Sequence, residues 1–159
     1  TNNNTYLKNI EKIISKENTT VNIKSKYRII SNNIEYLVRK RIFASKEKTT
    51  LEDGNSQIYY FDEFIYLINE DLLKGKNILI VSNYNLPNSD KFYFSEGIFN
   101  LKNKEFIAKD TKINVHKNIF GKPNNEPRIY GVSSEGNDRY TKIYKGSFTA
   151  CQKKECCPQ

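Results

Sequence analysis

The amino-acid sequence predicts an all-β protein in which repeated antiparallel strand pairs stack into a continuous sandwich or roll. Three observations lead to this prediction: a sequence repeat with a period of 30 residues, apolar residues that alternate with a period of two, and turn-forming residues between the apolar runs. One strand pair cannot bury its apolar face in water, whereas stacked pairs can share a continuous core.

The repeat is anchored by aromatic residues. Tyr6, Tyr36 and Tyr66 follow one another at intervals of 30 residues, and the step from Tyr66 to Phe99 is 33. After each anchor come a short polar stretch, an apolar pair and an alternating tail, which is typical of two short strands joined by a turn. Alternating residues also precede the last three anchors, in the runs 27–36, 57–66 and 90–99.

The first repeat is the one place where a helix competes with a strand. In "TYLKNIEKIISKEN" (5–18), Tyr6, Ile10, Ile13 and Ile14 lie at helical spacing. The equivalent stretches of the other repeats alternate, so we expect a strand here and at most one short helix, near this end of the chain.

Inward-facing apolar residues are predicted on three later strands, because residues two apart on a strand share a face. They are Ile78 and Ile80 in "KNILIVSN" (76–83), Phe92 and Phe94 in "KFYFS" (91–95), and Ile107, Ile113 and Val115 in "IAKDTKINV" (107–115). Turn signals separate the strands at "EDGN" (52–55), "NLPNSD" (85–90), "GKPNNEP" (121–127) and "SEGND" (134–138).

Composition limits the possible functions. The 159 residues suit one domain, and a chain that begins at Thr1 and contains no Met is expected to be a fragment or a processed product. The formal charge is +8, but the lysines are spread evenly and greatly outnumber the arginines. This pattern favours a solvated surface over a nucleic-acid site, so we expect no nucleic-acid partner.

No arrangement of residues in the sequence is typical of an enzyme. His116 is the only histidine and has no nucleophile motif beside it, and there is no phosphate-binding glycine loop. The pairs Asp62–Glu63 and Glu70–Asp71 are adjacent in sequence, so on a strand their side chains point to opposite faces. We expect a non-catalytic protein that needs no cofactor and no metal.

The three cysteines, Cys151, Cys156 and Cys157, all lie in the segment 151–159. A zinc site is the alternative to disulfides, but the Cys-x2-Cys spacing of most zinc sites is absent. Disulfides are favoured if the compartment is oxidising. Adjacent cysteines rarely bond to each other, so we expect at least one cysteine to bond outside this segment.

The region from Lys48 to Pro158 resembles the periplasmic part of the lipopolysaccharide-assembly protein family LptD (OstA), in its alphaproteobacterial form. The motifs "EPRIYGVSS" (126–134) and "KGSFTAC" (145–151), the latter followed by "CP" (157–158), carry most of the resemblance. Residues 1–47 match only as a degenerate repeat. The resemblance implies an OstA/LptA-like jellyroll over residues 1–150 and a cysteine-containing junction over 151–159 that leads to an outer-membrane β-barrel.

The resemblance also implies a function. Members of this family accept lipopolysaccharide from a periplasmic bridge of similar jellyrolls, which stack through their edge strands, and pass it to the barrel and its plug lipoprotein. The implied location is the periplasmic face of the outer membrane. Cys151 and Cys157 match the family's disulfide-forming positions, whereas Cys156 is an addition.

The apolar residues predicted above would then form a trough for the acyl chains of lipid A. The alternative is that they fill a closed core. Two alternative functions also follow from the sequence: a free-standing periplasmic bridge protein of the LptA or LptC kind, and a secreted β-repeat structural or adhesion protein, which would have a polar interior or a strictly regular period.

Overall fold

The computed structural model of the chain describes residues 3–7, 11–121 and 125–150, which form one antiparallel sheet of 13 strands. The all-β prediction is confirmed. The strands are β1 (Asn3–Leu7), β2 (Lys12–Ile23), β3 (Tyr27–Leu37), β4 (Ile42–Ser45), β5 (Thr49–Glu52), β6 (Ile58–Phe61), β7 (Glu63–Leu67), β8 (Leu72–Val81), β9 (Lys91–Asn100), β10 (Phe106–Asn114), β11 (Arg128–Gly136), β12 (Thr141–Tyr144) and β13 (Ser147–Thr149).

Among the described residues of the first repeat, 3–7 and 12–23 form strands. β1 and β2 pair with each other, with Tyr6 opposite Ile13, so the preference for a strand in this stretch is confirmed. The short 3-10 helix among the described residues is Lys117–Phe120, in the connection between β10 and β11. The sequence predicts at most one short helix, near the N-terminal end, whereas this helix lies far from that end of the chain.

The 30-residue repeat places its aromatic anchors in one row across the sheet. Each anchor lies directly opposite the next member of the row on the neighbouring strand, and the row reads Tyr6, Ile13, Tyr36, Phe43, Tyr66, Leu73, Phe99 and Phe106. Within each repeat, the chain therefore runs away from this row and then returns to it. The longer connection between β8 and β9 (82–90) accommodates the step of 33 residues.

The long strands bend along a single line that crosses the sheet. The pairing of β8 with β9 skips Asn77 and Ser95, and that of β9 with β10 skips Ser95 and Asp110. Ser95 donates a hydrogen bond to Asp110 at 2.6 Å, and Asn77 donates one at 2.9 Å to Asp62, where the break between β6 and β7 falls. Asn77 and Asp110 have positive φ angles of 48° and 50°. Asn and Asp tolerate this left-handed conformation better than most residues, so the sequence supplies suitable residues where the strands bend.

The bend divides the sheet into two half-sheets with one apolar core between them. The anchor half-sheet contains the anchor row, in the segments 3–7, 12–16, 33–37, 42–45, 63–67, 72–76, 96–100, 106–109, 133–136 and 141–144. The opposite half-sheet contains the segments 19–23, 27–31, 49–52, 58–61, 78–81, 91–94, 111–114, 128–131 and 147–149. The buried core draws on both: Ile34, Phe64, Tyr66, Leu73, Phe99 and Ala108 from the first, and Ile23, Tyr27, Ile29, Leu51, Phe61, Ile78 and Phe94 from the second.

Small and hydroxyl-bearing residues line the inside of the bend, where there is little space. A side chain at Gly75 would overlap the ring of Phe61, and one at Gly97 would overlap Ile78. Buried hydroxyl groups pair across the bend elsewhere: Ser15 with Thr19 at 2.6 Å, Ser31 with Ser45 at 3.1 Å, and Thr111 with Ser134 at 2.7 Å. These pairs satisfy polar groups that would otherwise be costly to bury.

The bend corrects one sequence-based prediction. Ile107 was expected to share a buried face with Ile113 and Val115, but its side chain is 63% exposed, whereas Ile113 is 5% exposed. The left-handed residue Asp110 lies between them and shifts the alternation, so Ala108 faces inward before the bend and Thr111 and Ile113 face inward after it. The period of two holds on each side of the bend and not across it.

Candidate functional site

The half-sheets separate at the side away from the bend, which we call the mouth, and leave a cavity of about 390 Å³. This volume lies in the range of about 300–1,000 Å³ that is usual for small-molecule sites. The cavity lies at the mouth between β6, β8 and β9 of the opposite half-sheet and the turns that follow β9 and β11 on the anchor half-sheet.

Aromatic and aliphatic side chains form the cavity wall. They are Tyr59, Ile80, Phe92, Phe94, Phe99 and Phe106. The rings contact one another across the two half-sheets: the centroids of Tyr59 and Phe99 are 6.2 Å apart in an edge-on arrangement, and those of Phe94 and Phe106 are 5.9 Å apart. Burial raises the pKa of the Tyr59 hydroxyl, so this group stays protonated, and it donates a hydrogen bond to Gln57 Oε1 at 2.9 Å.

The rim of the cavity is polar and carries two cations that have no ion-pair partner among the described residues, Lys104 and Arg139. Two of the rim carboxylates are already engaged. Asp53 Oδ1 accepts hydrogen bonds from the backbone N–H groups of Asn55 and Gln57, at 2.9 and 3.2 Å, and Glu105 accepts one from Asn103. A third carboxylate, Asp138, also lies at the rim, so the interior suits an apolar chain, and Lys104 and Arg139 are the rim groups that could contact an anionic head.

The structure places the predicted trough residues in four different positions. Ile80, Phe92 and Phe94 line the cavity. Ile78 is 2% exposed and belongs to the core near the bend. Ile113 is buried beside Phe92, which it faces on the neighbouring strand, and Val115 is half-buried just beyond the end of β10. Neither of these two lines the cavity, and Ile107 faces the solvent.

Several cavity residues were not predicted from the sequence as site residues. Phe99 was recognised as an anchor and Tyr59 lies in the alternating run 57–66, so both carried a signal. Phe106 could have been found by extending the anchor row by one strand. Lys104 and Arg139 belong to turns, and nothing in their local sequence indicates that these two turns meet at one cavity.

The single histidine has a structural partner. His116 Nδ1 lies 2.8 Å from Asp90 Oδ1, and the backbone N–H of His116 donates to the same oxygen at 2.8 Å. This pair holds the connection before β9 against the end of β10. The adjacent carboxylates also have separate partners, since Asp62 accepts a hydrogen bond from Asn77 and Glu63 lies 3.2 Å from Lys76.

The described residues contain neither a cluster suited to a metal ion nor a membrane-spanning helix. No group of three or more His, Cys, Asp or Glu side chains in residues 3–7, 11–121 and 125–150 is placed to hold a metal ion. No helix in the same ranges has the length and hydropathy needed to cross a membrane. Cys151, Cys156 and Cys157, the disulfide candidates, lie outside the described residues.

The outer surface carries a row of polar and aromatic residues. The Lys112 ammonium lies 5.4 Å from the ring centroid of Tyr93 and 5.9 Å from that of Tyr130. Lys112 therefore occupies the space between the two rings, through cation–π contacts.

The fold and the cavity together define a jellyroll-like all-β protein whose aromatic interior opens to solvent at one side. No protein-family model matches the chain, and no curated protein matches it significantly.

Proposed function

We propose that this chain is a non-catalytic module of lipopolysaccharide transport that binds the lipid between its two half-sheets during outer-membrane assembly. The observation that carries the proposal is the aromatic cavity, which opens to solvent and continues into the apolar core. An acyl chain gains about 0.8 kcal/mol for each methylene that leaves water, so a carrier needs a matching apolar surface and no reactive group.

The inner face of the opposite half-sheet extends the cavity wall into a continuous apolar row. Residues directly opposite one another on successive strands are Val21, Ile29, Leu51, Tyr59, Ile80, Phe92, Ile113, Ile129 and Phe148. The row crosses the half-sheet from one edge to the other. This arrangement supports transport along the sheet. The structural or adhesion alternative was expected to show a polar interior or a strictly regular period, and the apolar row does not support the first of these.

The sheet edges supply a means of docking to partners. Among the described residues, β1 pairs only with β2, and β12 and β13 pair only with β11. Edge strands recruit further strands through their backbone groups. We propose that a periplasmic bridge jellyroll stacks on one edge, and that the other edge leads to the barrel and its plug lipoprotein at the periplasmic face of the outer membrane, with Cys151 and Cys157 forming disulfides there.

The first test is the binding of a fluorescent fatty acid to purified protein. Phe92→Asp places a charge in the cavity wall, so we expect the affinity to fall at least about tenfold, which corresponds to the loss of about two methylene contacts. Ile98→Asp is the matched control, because Ile98 lies on the outer face and is 44% exposed. Equal binding by both variants and the unmodified protein would contradict the proposal.

The second test concerns the rim. Replacing both Lys104 and Arg139 with Gln is expected to weaken the binding of a fatty acid several-fold, and to leave the binding of the fatty alcohol with the same chain unchanged. The difference in fatty-acid affinity between the double variant and the unmodified protein is expected to shrink at high salt, because exposed charges are screened. Lys109→Gln, on the outer face, is the control. A fatty acid that binds the double variant as well as it binds the unmodified protein would remove the rim from the proposed site.

A further inference from the structure

The mouth between the half-sheets is closed at one position. The Tyr27 hydroxyl, at the start of β3, donates a hydrogen bond to the backbone carbonyl of Leu101, which follows β9, at 3.3 Å. Lys24 Nζ, in the turn between β2 and β3, lies 3.8 Å from Asp71 Oδ2, in the turn between β7 and β8. Both contacts join the opposite half-sheet to the anchor half-sheet.

Asp71 is the centre of this closure. Its carboxylate also accepts a hydrogen bond from the fully buried Tyr66 hydroxyl, and its backbone carbonyl accepts one from the N–H of Leu101 at 2.9 Å. Burial raises the pKa of Tyr66, so this hydroxyl keeps its proton and remains a donor. One residue thus ties together the turns after β2, β7 and β9.

The closure is also the end wall of the cavity. Tyr27 and Leu101 both line the cavity, which lies on the side toward β9–β12. The apolar inner surface continues on the other side of the closure, where Val21 and Phe43 pack against the core. The surface suited to an acyl chain is therefore longer than the cavity that is open to solvent.

We propose that the contacts of Tyr27 with Leu101 and of Lys24 with Asp71 form a latch that limits the length of acyl chain the cavity accepts. This inference rests on the proposed function. When the latch opens, the half-sheets separate at the turn between β2 and β3, and the cavity extends toward the β1–β2 edge. The latch is made of one neutral hydrogen bond of 3.3 Å and one ion pair of 3.8 Å between an exposed lysine and a largely buried aspartate, and such long contacts are weak enough to open reversibly.

The test measures affinity along a series of saturated fatty acids that differ only in chain length. For the unmodified protein, affinity is expected to rise about fourfold with each methylene and then to level off once the chain fills the cavity. In the double variant Lys24→Gln/Tyr27→Phe, the rise is expected to continue to longer chains. The control Lys109→Gln/Tyr144→Phe loses an ion pair of 3.1 Å and a hydrogen bond of 2.6 Å on the outer face, and should level off where the unmodified protein does.

Hydrogen exchange provides a readout that needs no ligand. Peptides that cover residues 22–28 and 99–103 are expected to exchange faster in the latch variant, with an unchanged melting temperature, and not in the control. If the affinity of the unmodified protein, the latch variant and the control levels off at the same chain length, the latch is overturned and the proposed function is left intact. If no protein binds any fatty acid, the proposed function and the length limit both fail, and unchanged exchange would show in addition that the turns are not held by these contacts.

Discussion

Replacing Ile113 with Asp is expected to unfold the protein or to lower its stability by at least about 4 kcal/mol, whereas Ile107→Asp should change stability by less than about 0.5 kcal/mol. Ile113 is 5% exposed and lies between Phe92 and Ile129 on the neighbouring strands. The introduced carboxyl would lose its hydration without gaining a partner. Ile107 is 63% exposed, so a carboxylate at that position stays in water.

Urea denaturation of the two variants measures this difference. We expect the loss of stability in the Ile113 variant to become smaller as the pH falls. Burial raises the pKa of the introduced carboxyl, and protonation makes its burial less costly. The Ile107 variant should show no such dependence. Equal stability of the two variants would mean that the inward face does not change at Asp110, and would restore the unbroken alternation that the sequence alone predicts.

Truncation of Phe64 to Ala is expected to cost about 3–5 kcal/mol, and truncation of its neighbour Ile65 less than about 0.5 kcal/mol. Phe64 is 2% exposed and its ring packs against Phe61 across the bend, with centroids 6.5 Å apart. Removing the ring would leave a cavity in the core between the two half-sheets. Ile65 lies on the outer face and is 43% exposed.

Thermal and urea denaturation of this pair report on how the core joins the half-sheets. A loss of cooperativity in the Phe64 variant would indicate that the half-sheets separate before the strands do. Similar small losses of stability in the Phe64 and Ile65 variants would contradict the conclusion that the two half-sheets share one core. Neither residue lines the cavity, so the outcome is independent of whether the cavity binds lipid.

The sequence alone determined the class of fold and the arrangement of the repeats. The spacing of Tyr6, Tyr36 and Tyr66 predicted equivalent strand pairs, and the anchors do lie in one row, because one out-and-back excursion of the chain has the length of one repeat. Local alternation also predicted that Ile80, Phe92 and Phe94 face inward. The prediction holds for them because all three lie on the same side of the bend, where the alternation is unbroken.

Only the tertiary structure decided where the bend falls and what meets at the mouth. A left-handed residue such as Asp110 shifts the inward face in a way that a count of alternating residues does not register, and Ile107 was misplaced for this reason. The closure joins Tyr27 to Leu101, which are 74 residues apart. Contacts between two half-sheets depend on how far the sheet folds over, and that angle is set by packing between distant residues, so it leaves no local pattern in the sequence.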